Sequence, residues 1–119
     1  HVLLTRLLTA SGRRNTFAAE DLEVYRSAWR RPGRLRGMLN WYRAAARRAI
    51  SGASALGRID PPTLVLWGVH DVALSASMAR PSADLCRDGR LEKIDRATHW
   101  VQHDAPDRVN RLLLEHLGR

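Results

Sequence analysis

Two polar residues, Asp71 and His99, each follow a short apolar run in the second half of the chain. Asp71 lies four residues after Trp67, and His99 lies five residues after Ile94. If both runs are neighbouring parallel strands, their carboxyl ends meet at one sheet edge, where active sites of such sheets lie. A carboxylate there can orient an imidazole and stabilise its cation. The spacing predicts such a pair, although an exposed aspartate and a capping histidine also fit.

The elements needed to position these two residues can be identified in the surrounding sequence. The continuous apolar run at residues 63–67 predicts a strand covered on both faces, and the alternation at residues 90–94 predicts a second strand. A helix is expected within residues 75–86, bent at Pro81, and a last helix begins near Pro106. This order predicts a βαβ unit. Two strands are too few for a stable sheet, so further strands are expected elsewhere.

The first half of the chain has helical patterns instead. Apolar residues recur at helical spacing within residues 19–30 and again within residues 38–50, whereas residues 2–9 form an apolar stretch of no assigned structure. Composition changes near Gly57. We therefore expect a helical unit at residues 1–57 and an α/β unit at residues 58–119.

The net charge of +8 is concentrated in the first half. Residues 1–58 carry 12 arginines and three acidic residues, a charge of +9, whereas residues 59–119 carry a charge of −1. A basic half can bind nucleic acid, but this one has no recognition motif and few interleaved aromatic residues. A solvated helical face is the preferred interpretation, so no nucleic-acid partner is expected.

Composition also bears on location and cofactors. No apolar run approaches the roughly 20 residues that span a membrane, no signal peptide is evident, and Cys86 has no second cysteine to pair with. These features favour a cytoplasmic protein without membrane contact. His99 and His103 have the spacing of helical metal ligands but lack the accompanying glutamate and a third ligand. We expect neither a metal nor an organic cofactor.

Three stretches of the sequence resemble those of one known enzyme family. Residues 62–71, PTLVLWGVHD, resemble the acid-bearing strand of the α/β-hydrolases. Residues 97–106, ATHWVQHDAP, resemble the histidine loop of the epoxide hydrolases within that family, and residues 39–43, LNWYR, resemble the end of their cap domain. The acid precedes the histidine, which is the order of the family. The resemblance covers about residues 17–117.

The resemblance implies an α/β fold class. The chain would be the C-terminal portion of an α/β-hydrolase fold, with its last two parallel strands and their flanking helices. A helical cap remnant at residues 1–57 would precede this part of the core at residues 58–119.

The resemblance also implies a reaction, the opening of a small apolar epoxide to a diol through an ester. Tyr42, with a second cap tyrosine, would stabilise the developing alkoxide, His99 would activate water, and Asp71 would orient His99. Trp41 and Trp100 would line the substrate pocket. Ordinary packing is the alternative for the tyrosine and both tryptophans.

The sequence departs from the family pattern in three ways. It contains no nucleophile elbow, no His-Gly oxyanion motif and no convincing second cap tyrosine, and Tyr25 is expected to be a core residue. We therefore expect a hydrolase fragment that lacks the N-terminal half of the core, is inactive alone, and forms a homodimer or aggregates through its open strand edge. A dehalogenase of the same fold, a non-catalytic remnant and a basic binding module are the alternatives.

Overall fold

Three helices make up the first half of the chain in the computed structural model, which describes residues 2–51 and 57–118. They are α1 (Val2–Ala10), α2 (Ala19–Arg30) and α3 (Arg34–Ile50). The helix predicted at residues 19–30 is confirmed, and residues 2–9, to which no structure was assigned, belong to a helix. Residues 52–56, the end of the predicted helical unit, lie outside the described residues.

Local chemistry determines where α2 and α3 begin. The N–H of Ala18 donates to the Asp21 carboxylate at 2.9 Å, which satisfies a backbone donor at the helix start. α3 begins at Arg34, four residues before the predicted start, because Gly33 adopts a left-handed φ of 77° and turns the chain into the helix. The Gly37 N–H then donates to the Gly33 carbonyl at 2.9 Å. The predicted helix was therefore correct in type but too short.

The second half contains a two-stranded parallel sheet. Strand β1 (Thr63–Gly68) pairs with β2 (Gly89–Ile94), with Thr63 opposite Gly89 and Gly68 opposite Ile94. The crossover contains a 3-10 turn (Ala76–Met78) and helix α4 (Ala79–Asp84). The predicted βαβ unit is confirmed. Because the strands are parallel, the loops that follow them leave from the same edge of the sheet.

The crossover helix breaks before Pro81 and not at it. Ser75 caps the 3-10 turn, because its Oγ accepts a hydrogen bond from the Ser77 N–H at 3.3 Å. Pro81 is the third residue of α4, where a residue has no intrahelical acceptor for its N–H. A proline is compatible with this first turn, so the bend or interruption predicted at Pro81 occurs two residues earlier, where the 3-10 turn gives way to α4 at Ala79.

A small core holds the loop after β2 against the sheet. Helices α5 (Val101–Asp104) and α6 (Pro106–Leu117) complete the chain, and α6 begins at Pro106 as predicted. Ile94, Ala97 and Val109 are buried together. Leu66, Val101 and Ala105 pack against them. Burial of a Val, Leu or Ile side chain contributes roughly 1.5–3 kcal/mol, so this cluster fixes the segment between β2 and α6.

A large apolar surface is left exposed on the described residues. No described strand pairs with the second edge of β1. Large apolar side chains are exposed on α1, α3 and α6, namely Val2, Leu3, Leu7, Met38, Leu39, Trp41, Ile50, Leu114 and Leu117. Soluble monomers seldom expose contiguous apolar patches larger than a few hundred Å². These surfaces are therefore candidates for packing against further protein.

The structure describes both the apolar character of the helices and the environment of the single cysteine. Within residues 2–51 and 57–118, no helix combines the length and the apolar character needed to cross a membrane. Cys86 is buried and carries a free thiol. It behaves as a small apolar residue, which is the commonest role of a buried cysteine.

Candidate functional site

Asp71 lies in the loop that follows β1 and is fixed there by the backbone. Its Oδ1 accepts hydrogen bonds from the N–H groups of Ala73 at 2.8 Å and Leu74 at 2.9 Å. The side chain is only 7% exposed. Two backbone donors on one oxygen set the orientation of the carboxylate, and they leave Oδ2 free to face the neighbouring loop.

His99 lies in the loop that follows β2, beside this carboxylate. Its Nδ1 is 2.9 Å from Asp71 Oδ2. The predicted meeting of the two side chains on adjacent loops is confirmed. With Nδ1–H donating to the carboxylate, Nε2 carries the lone pair and can accept a proton. The side chain of His99 is 37% exposed.

The environment of Asp71 favours its ionised form. Burial alone would raise the pKa of this carboxyl. The hydrogen bond from His99 and those from the Leu74 and Ala73 N–H groups act in the opposite direction, as does the charge of His99, and the pKa is lowered from its ordinary value. An ionised Asp71 at neutral pH can stabilise a cationic His99.

Gly68, the last residue of β1, allows the two loops to approach each other. A Cβ at this position would lie 2.0 Å from the Thr98 carbonyl oxygen and 2.6 Å from that of Ala97. Two residues later, the His70 N–H donates to the Ala97 carbonyl at 2.9 Å. Only a residue without a side chain fits this contact, so Gly68 sets the distance between the acid loop and the histidine loop.

Gly68→Ala should destabilise the protein by roughly 3 kcal/mol, the upper end for overpacking, because both obstructing atoms belong to backbone. Gly37→Ala is the matched control, since its added Cβ would meet nothing within 4 Å and alanine favours the helix. Thermal melts of the two variants should shift in opposite directions. Equal melting temperatures for Gly68→Ala and the wild type would contradict the close approach.

A pocket of about 440 Å³ opens beside His99. Its walls are mostly apolar and come from α1, α2, α3 and the two loops. The lining residues are Leu4, Leu7, Leu8, Ser11, Tyr25, Trp29, Met38, Tyr42, Ala73, His99 and Trp100. A largely apolar pocket with a few convergent polar groups is the usual form of a small-molecule site.

The structure brings most of the predicted site residues together at this pocket. The pocket is lined by Tyr42, on α3, and by Trp100, which directly follows His99. Asp71 contacts Nδ1 of His99 and is not among the lining residues. Trp41 does not line this pocket. Both side chains are largely exposed, Trp41 at 75% and Tyr42 at 71%, and Trp41 lines a separate open groove of about 710 Å³ along α3.

Comparison with known proteins identifies the family of the chain. No family model matches the chain. Over 114 residues, 96% of its length, the chain is 36% identical to YfhM, an AB hydrolase superfamily protein of Bacillus subtilis. The chain belongs to the α/β-hydrolase superfamily. Within it, the chain is 37% identical to epoxide hydrolase 2 of Caenorhabditis elegans over 84% of its length, and 35% identical to human epoxide hydrolase 4 over 93%.

These matches place the chain in one part of an α/β-hydrolase. It spans 39% of the Bacillus subtilis relative, 28% of the Caenorhabditis elegans relative and 30% of the human relative. The matched part contains both Asp71 and His99, each at the end of a parallel strand. The chain is thus consistent with the C-terminal part of an epoxide hydrolase-like fold.

Tyr25, which the sequence analysis expects to be a core residue, also lines the pocket beside His99. Its hydroxyl lies 3.1 Å from His103 Nε2, and its ring contacts Phe17 edge to face. Burial, followed by the negative charge of Asp21, raises the pKa of this phenol. Helical spacing with Trp29 indicated only a core position, which is also partly correct because the two rings pack together.

His103 points away from any shared site with His99. Its Nε2 faces Tyr25, and its Nδ1 lies 3.7 Å from Asp21 Oδ2. Among the described residues, no group of three or more His, Cys, Asp or Glu side chains is placed to hold a metal ion. The spacing of the two histidines therefore corresponds to two separate contacts, one with Asp71 and one with α2.

Asp104 is a residue that the sequence did not single out. Its carboxylate accepts hydrogen bonds from Thr98 and Thr16, whose side chains are buried. Burial alone would raise its pKa, but the hydrogen bonds from Thr16 and Thr98 and the charge of Arg13 lower it. Asp104 lies within the quoted stretch 97–106, but nothing in the sequence assigned it a role, and its partner Thr16 lies 88 positions away.

Lowered pKa values at Asp71 and Asp104 predict a loss of stability in acid. A carboxyl whose folded-state pKa is depressed stabilises the fold above its unfolded-state pKa, about 4, and loses this contribution as the pH falls through the folded-state value. Melting temperatures should therefore drop below about pH 4. The drop should be smaller in Asp104→Asn, which lacks one of the two carboxyls. Asp107→Asn changes an exposed carboxyl and should follow the wild type. Parallel curves for all three proteins would contradict the prediction.

Proposed function

We propose that this chain supplies the acid–histidine pair and part of the pocket of an epoxide hydrolase that acts on a small apolar epoxide. The observation that carries the proposal is the 2.9 Å contact of His99 with Asp71, whose side chain is 7% exposed, beside an apolar pocket that Tyr42 also lines. The imidazole is a general base, and a phenol is an acid suited to an oily substrate. Opening an epoxide to a diol uses both groups.

In the proposed reaction, a nucleophilic aspartate outside these 119 residues attacks one epoxide carbon. The ring carbon–oxygen bond breaks, and the alkoxide takes a proton from Tyr42, which leaves a hydroxyalkyl ester. His99 then removes a proton from water, and the resulting hydroxide attacks the ester carbonyl. The ester carbon–oxygen bond then breaks, and the departing alkoxide takes the proton of the new carboxyl group. The diol leaves and the carboxylate is restored. His99 returns its proton to Tyr42, so water is the only co-reactant.

The roles of the two units follow from this proposal. Residues 1–57 would form part of a cap, and residues 58–119 would form the end of the catalytic core. The 119 residues contain no Gly-x-Asp-x-Gly or Gly-x-Ser-x-Gly sequence, and they match 28% to 39% of the length of the relatives named above. The 119 residues alone are therefore expected to produce no diol, because the ester cannot form without a nucleophile.

The test uses the gene-length protein, meaning the complete product of the gene that encodes these residues. It is incubated with an apolar aryl epoxide in ¹⁸O-labelled water, and diol and protein are analysed by mass spectrometry. A single turnover should place the label in the nucleophilic carboxylate and not in the diol, since water attacks the ester carbonyl. A chloroalkane of similar size is the control substrate. Chloride release without diol formation would identify a dehalogenase, and no turnover of either substrate would refute catalysis.

A further inference from the structure

The carboxylate of Asp104 gathers three hydrogen bonds within one small volume. Oδ2 accepts from the Thr98 N–H at 2.7 Å and from Thr98 Oγ1 at 2.6 Å. Oδ1 accepts from Thr16 Oγ1 at 2.6 Å. Both threonines are buried, with 4% and 7% of their surface exposed. Hydrogen bonds to an ionised acceptor are shorter and stronger than neutral ones, so this carboxylate is a firm anchor.

The Asp104 carboxylate holds Thr98, the residue that directly precedes His99. Two groups of Thr98, its backbone N–H and its hydroxyl, are bound to Asp104. The Thr98 hydroxyl oxygen also accepts from the Trp100 N–H at 3.3 Å, so the residue after His99 is tied to the same point. His99 is thus held on both sides in sequence while its ring contacts Asp71.

The same carboxylate links the histidine loop to the first half of the chain. Thr16 Oγ1 donates to Asp104 and accepts from the Arg13 N–H at 2.7 Å. A parallel link joins Trp100 Nε1 to Ser11 Oγ at 2.9 Å. Arg13 Nη1 also donates to the Arg96 carbonyl. The loop of residues 11–17 therefore contacts the segment after β2 through these three polar contacts, and Asp104 forms one of them.

We propose that Asp104 is a positioning residue for His99, holding the imidazole where it can both contact Asp71 and activate water. This inference rests on the proposed function, since it assigns Asp104 to the ester-hydrolysis step. Ester formation does not use His99 and should not depend on Asp104. Ester hydrolysis needs the imidazole within a fraction of an ångström of its place, because a misplacement of about 1 Å can slow a reaction on the order of 10²-fold.

The kinetic test compares Asp104→Asn with the wild type in the gene-length protein. In single turnovers of an apolar aryl epoxide, the rate of ester formation should stay within about twofold, while ester hydrolysis slows on the order of 10²-fold. Asparagine keeps the shape but loses the charge and presents an N–H₂ group toward the threonine donors. Asp107→Asn, in the exposed first turn of α6, is the matched control and should leave both steps unchanged. Asp104→Glu retains the carboxylate and should recover most of the ester-hydrolysis rate.

These kinetics separate positioning from a general loss of folding. Fewer folded molecules would lower the amplitude of both steps without changing either rate constant. Equal slowing of both steps, or wild-type ester hydrolysis in Asp104→Asn, would overturn the proposal while leaving the epoxide hydrolase assignment intact.

A second measurement is independent of turnover. In the wild type, the Nδ1 proton of His99, held by Asp71 at 2.9 Å, should give a downfield proton NMR signal that Asp107→Asn preserves and Asp104→Asn loses or broadens. If the wild type forms no ester, the proposed function is wrong, yet this signal still decides the role of Asp104. An unchanged signal in Asp104→Asn would overturn it.

Discussion

Replacing His99 by alanine in the gene-length protein is expected to stop the reaction at the ester. The imidazole is the only proposed base for the attacking water, and positioned general bases contribute about 10²–10⁴-fold. Ester formation should continue, because the nucleophile needs no base. Mass spectrometry should therefore show the protein shifted by the mass of one epoxide, with steady-state turnover reduced about 10³-fold.

His70→Ala is the matched control for this experiment. His70 is exposed in the acid loop. Its backbone N–H donates a hydrogen bond to the Ala97 carbonyl, and an alanine at this position retains that N–H. It should therefore turn over at the wild-type rate. Full turnover in His99→Ala would show that His99 does not act in ester hydrolysis. The same would follow if this variant formed neither the ester nor the diol.

Asp71→Asn should have an effect of similar size for a different reason. The carboxamide can no longer stabilise the histidinium, and it can turn its N–H₂ toward Nδ1 and select the unproductive tautomer. Because Ala73 and Leu74 donate to Oδ1, the amide oxygen is expected at that position, with the nitrogen toward His99. Ester hydrolysis should slow about 10³-fold with little change in the pocket.

The pair Asp71–His99 could be predicted from sequence because both residues depend on local order. Each follows a strand by a few residues. The carboxyl ends of parallel strands, and the loops that follow them, lie at the same end of the sheet. The close approach at Gly68 could not be predicted. The glycine is visible in the sequence, but the carbonyl groups it must avoid belong to residues 97 and 98, about 30 positions away.

The separation of Trp41 from Tyr42 follows from helix geometry. With 3.6 residues per turn, consecutive side chains on α3 differ by about 100° in direction. One of the two can therefore face the pocket beside His99 while its neighbour faces elsewhere, as the structure shows. The sequence motif groups the two residues together, whereas the helix presents them to different surroundings.

Asp104 and Tyr25 illustrate a different limit of sequence reasoning. Tyr25 contacts His103 over 78 positions, and Asp104 adds a contact with Thr16 over 88 positions to its two hydrogen bonds with nearby Thr98. No periodicity or spacing rule spans such distances. The short helix α5 that carries Asp104 and His103 was also missed, because four residues are too few for a helical pattern to be recognised.

The 119 residues by themselves are expected to associate or to unfold partly. Strand β1 leaves one edge unpaired among the described residues, and unpaired strand edges are templates for pairing with another chain. Exposed side chains such as Leu114 and Leu117 each forgo up to roughly 1.5–3 kcal/mol of burial. A small domain has only about 5–15 kcal/mol of net stability, so a few such losses are decisive.

Sedimentation velocity and thermal melting of the isolated chain would measure this directly. Dimers or larger species, with a broad melt, are expected at micromolar concentration. Leu114→Gln with Leu117→Gln removes apolar surface from α6 but leaves the edge of β1 intact, so association through the edge should persist in that variant. Co-expression with the part of the Bacillus subtilis relative that this chain does not match should yield a soluble complex, in which that part is expected to cover the edge. A monodisperse monomer with one sharp cooperative melt would mean that these residues form a self-sufficient domain.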